Sequence, residues 1–187
     1  MQSPALDQLP ESIETNRLVV RVARPGDGAM FNAAIVESRE QLKQWLGWVY
    51  PLPSLSESEA SCRRAYARFL LNEDLMAFFI DKESGALVGG SGLHSANWEL
   101  RQFEVGYWGH SRLLGKGFIT EGVAALTEHA LQQLGATRVF LTTDELNIAS
   151  WRLAERAGFQ LEGTLRNDRL NIQGQLRNTR VYSRVRP

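Results

Sequence analysis

The chain has 187 residues, 43% hydrophobic and 22% charged, a balance that suits one compact globular domain over residues 1–187. Lysine plus arginine equals aspartate plus glutamate at 21 each, so no basic excess argues for nucleic-acid binding, although local basic patches stay open. One cysteine, Cys62, excludes an intrachain disulfide and reads as a buried or bystander thiol in a helix. The segment from Met1 to Glu14 has no basic start followed by an apolar run, and no apolar stretch approaches a membrane span. A cytoplasmic protein without a membrane partner is the expectation.

Residues 1–14 read as an extended lead-in. The Val-rich alternation from Arg17 to Val22 predicts a strand. Met30, Phe31, Ala34 and Ile35 recur at helical spacing, and a short second helix is expected to carry Leu42, Trp45 and Leu46. Ser56 stands three residues before Glu59, a capping-box pattern that opens a helix to about Leu71. Strands are predicted at Leu75–Ile80, Leu87–Ser95 and Phe103–Trp108, joined by short connections as an antiparallel meander. Ile119, Val123, Leu126, Ala130 and Leu134 mark a helix. A strand from Arg138 to Thr143, a helix from Ala149 to Arg156, and strands at Phe159–Leu165 and Arg180–Val185 complete a mixed α+β sheet.

The strongest local signal lies between a strand and a helix, where Arg112, Leu113, Leu114, Gly115, Lys116, Gly117 and Phe118 lead into Ile119 and Thr120. The glycines permit backbone angles that other residues resist, and the helix start supplies unpaired N–H groups and a positive dipole end. The run is too short for a Walker A loop and lacks G-x-G-x-x-G spacing. On its own the pattern is weak evidence for a phosphate site, and a tight turn is the plainer reading. Asn147 and Ser150 open the next helix, where Asn147 also fits a plain N-cap.

Arg112-x-x-Gly115-x-Gly117 resembles the acetyl-CoA pyrophosphate loop of the GNAT superfamily, and Asn147-x-x-Ser150 followed by Gly158 and Phe159 resembles its second signature. Glu104 to Trp108, Gly117 to Glu121, Glu162 to Arg166, and Leu42-x-x-Trp45-x-x-Trp48 are similar to the RimJ/RimL branch, which acetylates protein N-termini and other amines. The resemblance spans about Thr15 to Val185.

It implies a GNAT fold with the sheet splayed between its fourth strand, near Val105, and its fifth, near Leu141. The pantetheine arm of acetyl-CoA would pair with the backbone of Val105, Gly106, Tyr107 and Trp108. The pyrophosphate would sit on amides of the glycine loop, with Arg112, Lys116, Ile119, Thr120, Asn147, Ser150 and Arg152 also on the cofactor. Glu104 is the implied base for the amine, directly or through water; a strand carboxylate with a salt-bridge partner is the alternative. Ser150 is the implied contact for the thiol, since Ala154 stands where many members have an acidic tyrosine; a first-turn helix serine is the alternative. Trp45, Trp48 and Tyr50 would flank the acceptor entrance, or else serve as core or interface aromatics. Arg169 replaces a glutamate common in the branch, and Arg177, Asn178 and Thr179 stand where an aspartate is common, which makes the acceptor pocket less acidic than expected.

The implied activity is acetyl transfer from acetyl-CoA to a primary amine on a small molecule, peptide or protein N-terminus, without a metal. His94, His110 and His129 show no ligand spacing. A non-catalytic acyl-CoA sensor, a succinyl-CoA-dependent enzyme and a nucleotide-binding regulator remain as alternatives. Homodimerisation is common in such folds.

Overall fold

The computed structural model describes residues 11–186. Nine strands form the sheet: β1 (Ser12–Glu14), β2 (Leu18–Val22), β3 (Leu75–Asp81), β4 (Leu87–Asn97), β5 (Gln102–Glu104), β6 (Tyr107–Gly109), β7 (Arg138–Asp144), β8 (Gln160–Leu170) and β9 (Leu176–Val185). Among the described residues four α-helices cover it: α1 (Gly28–Leu42), α2 (Leu55–Leu70), α3 (Phe118–Gln132) and α4 (Ile148–Arg156). The spatial order is β1-β2-β3-β4-β5-β7-β9-β8, with β6 attached to β4. β5 and β7 pair in parallel and the other ladders are antiparallel.

Successive side chains on a strand face opposite ways. Phe78 and Phe79, both fully buried, therefore enter different cores. Phe79 joins Val123, Leu126 and Ala130 of α3, whereas Phe78 joins Phe31 and Ile35 of α1 and Cys62 of α2. The sheet is thus covered on one face by α3 and α4 and on the other by α1 and α2. The α1–α2 crossing is close because Gly28 has no side chain: a Cβ there would meet Glu59 Cα at 2.5 Å.

Four expectations need correction. The lead-in contains β1, which pairs with β2 from Ser12↔Arg21 to Glu14↔Val19; residues 1–10 lie outside the described residues. Leu42 ends α1, and Trp45 and Leu46 lie in the turn that follows, before a 3-10 turn over Gly47–Val49. The capping box forms two residues early. Ser54 Oγ accepts from Glu57 N at 3.2 Å, and the Glu57 carboxylate accepts from Ser54 N at 2.7 Å. Glu59 instead accepts from the N–H groups of Gly26 and Gly28 at the start of α1. Lastly, the run from Phe103 to Trp108 is two strands, and the break between them makes the site.

Candidate active site

β5 follows β7 through Gln102↔Arg138, Phe103↔Val139 and Glu104↔Phe140, and the last link is Val105 N–H to Phe140 C=O at 2.7 Å. Beyond it, β6 stays on β4 (Ser91↔Tyr107, Gly90↔Trp108), while Leu141 to Asp144 of β7 stay on β9. The two strands part, and a cleft of about 960 Å³ opens between them. Residues 105–109 and 142–144 form its floor, with the glycine loop, α4, the end of α1 and the β8–β9 turn around it. That volume suits a cofactor-sized ligand.

The glycine loop ends at Gly117, whose φ of 81° is left-handed and costs glycine little. The first bond of α3 runs from Glu121 N–H to Gly117 C=O at 3.0 Å. The N–H groups of Phe118, Ile119 and Thr120 precede it, no side chain among the described residues caps them, and all three residues line the cleft. Gly115 (φ 76°) has nothing within 4 Å of where a Cβ would stand, so its backbone is open to a ligand. Glu121, the one acid of that first turn, is held away by the β1–β2 connection. It accepts from Thr15 Oγ1 (2.6 Å), Arg17 N (2.9 Å) and Arg17 Nε (2.7 Å). Burial alone would raise its pKa, but these donors hold it below the usual carboxylate range. Arg17 Nη1 also donates to the Lys116 carbonyl at 2.9 Å, bracing the loop. These features fit a diphosphate: uncapped amides, an open glycine backbone and a neutralised acid.

Across the cleft, Asn147 caps α4 by accepting from Ser150 N at 3.2 Å and also lines the wall. The Tyr107 hydroxyl bridges the open seam. It donates to the Ser150 carbonyl at 2.8 Å and lies 3.1 Å from Ser150 Oγ. Burial pushes the Tyr107 pKa up to about 12. A hydroxyl therefore stands beside Ser150 although Ala154 leaves the usual tyrosine position empty. Sequence reasoning credited Tyr107 with its backbone alone.

The opposite face of the seam carries the polar groups of β5 and β7. Glu104 Oε1 accepts from Thr142 Oγ1 at 3.1 Å, Glu104 Oε2 lies 3.4 Å from Ser95 Oγ, and no cation pairs with this carboxylate among the described residues. His94 stands directly opposite Glu104 on β4, and its Nδ1 is 2.8 Å from Asp74 Oδ1. The sequence offered no spacing that would have joined His94 to Asp74.

Of the named residues, Val105 to Trp108, Leu113 to Gly115, Gly117 to Thr120, Asn147, Ser150, Arg152 and Trp45 line the cleft. Glu104 is not among the lining residues, although its chain neighbour Val105 is. Arg112 points away, 74% exposed and paired with Glu37 at 3.2 Å. Lys116 is exposed and offers its carbonyl to Arg17. Trp48 and Tyr50 are not in the wall: Trp48 packs against Phe31 with ring centroids 6.1 Å apart, and Tyr50 is 65% exposed.

Residues 17–160 match the family model described as the acetyltransferase (GNAT) domain. The chain belongs to the GNAT acetyltransferase family. YdaF of Bacillus subtilis, provisionally named a ribosomal N-acetyltransferase, is 29% identical over 89% of this chain and 90% of its own. Among solved structures, RimL, a ribosomal L7/L12 α-N-protein acetyltransferase in complex with coenzyme A, superposes with a TM-score of 0.88. It is 19% identical over 94% of this chain and 98% of its own. The microcin C7 self-immunity acetyltransferase MccE, in complex with acetyl-CoA and AMP, gives 0.86 at 18% identity over 97% and 99%.

As a GNAT acetyltransferase, the chain transfers acetyl from acetyl-CoA to an amine, and its splayed sheet is that of the family. Among the described residues no helix is long and apolar enough to cross a membrane, and no cluster of His, Cys, Asp or Glu is arranged to hold a metal.

Proposed function

We propose that this GNAT protein acetylates the primary amine of a peptide, a protein N-terminus or a small molecule by direct attack within the parted seam. The observation that carries the reading is the run of uncapped amides after Gly117 facing the same cleft as Ser150. The amides of Leu114 to Phe118, with Ile119 and Thr120, hold the diphosphate, while the Leu113 N–H is already given to the His110 carbonyl at 2.9 Å, and Arg152 adds charge beside it. Bound acetyl-CoA supplies the activated acetyl group as a thioester.

Glu104 accepts the proton that the attacking amine must lose, through a water, since it is not among the residues that line the cleft. Thr142 orients its carboxylate, and no cation among the described residues pairs with it. On the other face the Ser150 hydroxyl gives its proton to the departing sulfur and takes one from the Tyr107 hydroxyl, which turns from the Ser150 carbonyl to Oγ, 3.1 Å away, and is reprotonated by solvent. With a pKa near 12, Tyr107 keeps its proton at neutral pH. Trp45 lines the acceptor entrance. The relation to YdaF and RimL makes a ribosomal-protein N-terminus one acceptor to test.

The test is Glu104→Gln, with free CoA release and acetyl-CoA-dependent thermal stabilisation measured together. Turnover is expected to fall about 10²- to 10⁴-fold with stabilisation retained. Unchanged turnover removes Glu104 from the chemistry. Stabilisation of the wild type by ATP or NAD but not by acetyl-CoA would overturn the reading as a whole.

A further inference from the structure

β8 is interrupted where it passes the cleft. Leu165 pairs with Thr179 but Arg169 pairs with Arg177, so three residues of β8 oppose Asn178 alone. Asn167, at φ 53°, makes the bend and donates its N–H to Asn178 Oδ1 at 3.0 Å. An unbroken ladder would set Arg169 opposite Gln175, out in the β8–β9 turn. The bulge draws it back beside Thr179, and bulges of this kind re-aim side chains next to sites.

Register fixes the face that Arg169 occupies. Glu104 and Thr142 share a face, joined by their hydrogen bond. Asp144 lies two residues beyond Thr142 and pairs with Thr179, and Arg177 lies two residues before Thr179 and pairs with Arg169. Arg169 therefore stands on the Glu104 face and lines the cleft.

Its bonding state is unlike that of its neighbours. Arg177 is paired with Asp144 at 2.7 Å and Arg180 faces Glu145 at 3.9 Å. Arg169 donates from Nε to Thr179 Oγ1 at 2.7 Å and pairs with no carboxylate among the described residues. Thr179 is fully buried, so it pins the guanidinium without neutralising it. Both terminal nitrogens keep donors suited to a carboxylate.

We propose that Arg169 is the recognition site for a carboxylate borne by the acceptor close to its reacting amine. This rests on the acceptor lying on the Glu104 face. The ligand class is an amine with an adjacent carboxylate: a peptide N-terminus with an acidic residue in its first positions, or a free amino acid.

The experiment compares matched acceptors with wild type, Arg169→Gln and Arg169→Lys. A Ser-Asp peptide is set against its Ser-Asn counterpart, and an amino acid against its amide. Free CoA release is read for kcat and acceptor KM, and acetyl-CoA KM and Tm report the fold and the cofactor site.

Wild type is expected to favour the carboxylate member of a pair about 10- to 100-fold in kcat/KM, through acceptor KM. Arg169→Gln should erase the preference with acetyl-CoA KM and Tm unchanged, and Arg169→Lys should restore part of it. Preference in the peptide pair alone names a peptide terminus; preference in the amino-acid pair alone names a free amino acid.

Equal rates within both pairs for wild type, or a preference that survives in Arg169→Gln, overturn the proposal while leaving acetyl transfer intact. If no acceptor turns over, the reading of the reaction fails separately. Calorimetric binding of the same pairs to the CoA-loaded protein then decides, and equal or absent binding of both members overturns the carboxylate site.

Discussion

Glu121→Gln tests whether the β1–β2 connection braces the phosphate loop. The carboxylate takes three hydrogen bonds from Thr15 and Arg17, and a second guanidinium nitrogen, Arg17 Nη2, lies 2.7 Å away. Hydrogen bonds to charged groups contribute about 1.5–3 kcal/mol each. The arginine is 41% exposed, so solvent screens the pair and the lower end applies. A net loss of about 1.5–2 kcal/mol at pH 7 follows, since the amide oxygen keeps part of the bonding. For a chain this long that lowers Tm by about 3–8 °C.

The pH dependence has a definite sign. The folded carboxyl titrates below its ordinary value of 4.5, so its contribution is complete above that value and is lost as pH falls through the folded pKa. The gap between wild type and variant should therefore be constant from pH 8 to about pH 5 and close in more acidic buffer. Differential scanning fluorimetry across pH gives both quantities. Because Arg17 also holds the Lys116 carbonyl, acetyl-CoA KM should rise several-fold with kcat little changed. An unchanged Tm at neutral pH, or a gap that persists unchanged at pH 3, would refute the reasoning.

Three other outcomes follow from local geometry. Tyr107→Phe removes the hydroxyl 3.1 Å from Ser150 Oγ, and kcat should fall about tenfold or more while acetyl-CoA KM stays within about twofold, read from free CoA release. Gly28→Ala drives a methyl to 2.5 Å from Glu59 Cα, and should cost about 1–3 kcal/mol in denaturant unfolding without changing acetyl-CoA KM. Burial, with Asp27 and Glu59 nearby, pushes the Cys62 pKa up to about 12, so iodoacetamide at pH 8 should label the thiol in denaturant and leave the native protein unmodified.

The strand–glycine–helix unit was legible because it is local: Gly115 and Gly117 punctuate, and the apolar spacing from Ile119 onward is helical. The capping box was misread by two residues for a definable reason. Ser54 with Glu57 and Ser56 with Glu59 have the same spacing, and only the packing of α2 against the start of α1 commits Glu59 to Gly26 and Gly28. The parting near Val105 was expected from the resemblance alone, because apart from Gly106 each residue from Phe103 to Trp108 suits a strand, and the change is one of neighbour. For the same reason the Tyr107 hydroxyl went unplaced, since it depends on which strand β6 leaves; the resemblance alone put Arg169 at the acceptor pocket, and the bulge in β8 that sets its face is announced by no residue spacing. Trp48 and Tyr50 lie outside the cleft wall, since aromatic identity near a site does not fix direction.

The parting of β6 from β7 does more than open space. Alternation continues unbroken through the gap: Phe103 and Val105 enter the α3 core and Trp108 enters the α1 core. The segment stays anchored on both faces although one edge has lost its partner. That edge leaves backbone N–H and C=O groups without a ladder, a cost that water or an amide-bearing ligand arm must meet. The same alternation sets Glu104 on one face and Tyr107 on the other. Acetyl transfer needs a proton removed at the nitrogen and one delivered at the sulfur, on opposite sides of the carbonyl carbon. An odd spacing of three residues along one strand direction, with the seam between its two ends, is what the proposed roles of Glu104 and Tyr107 require.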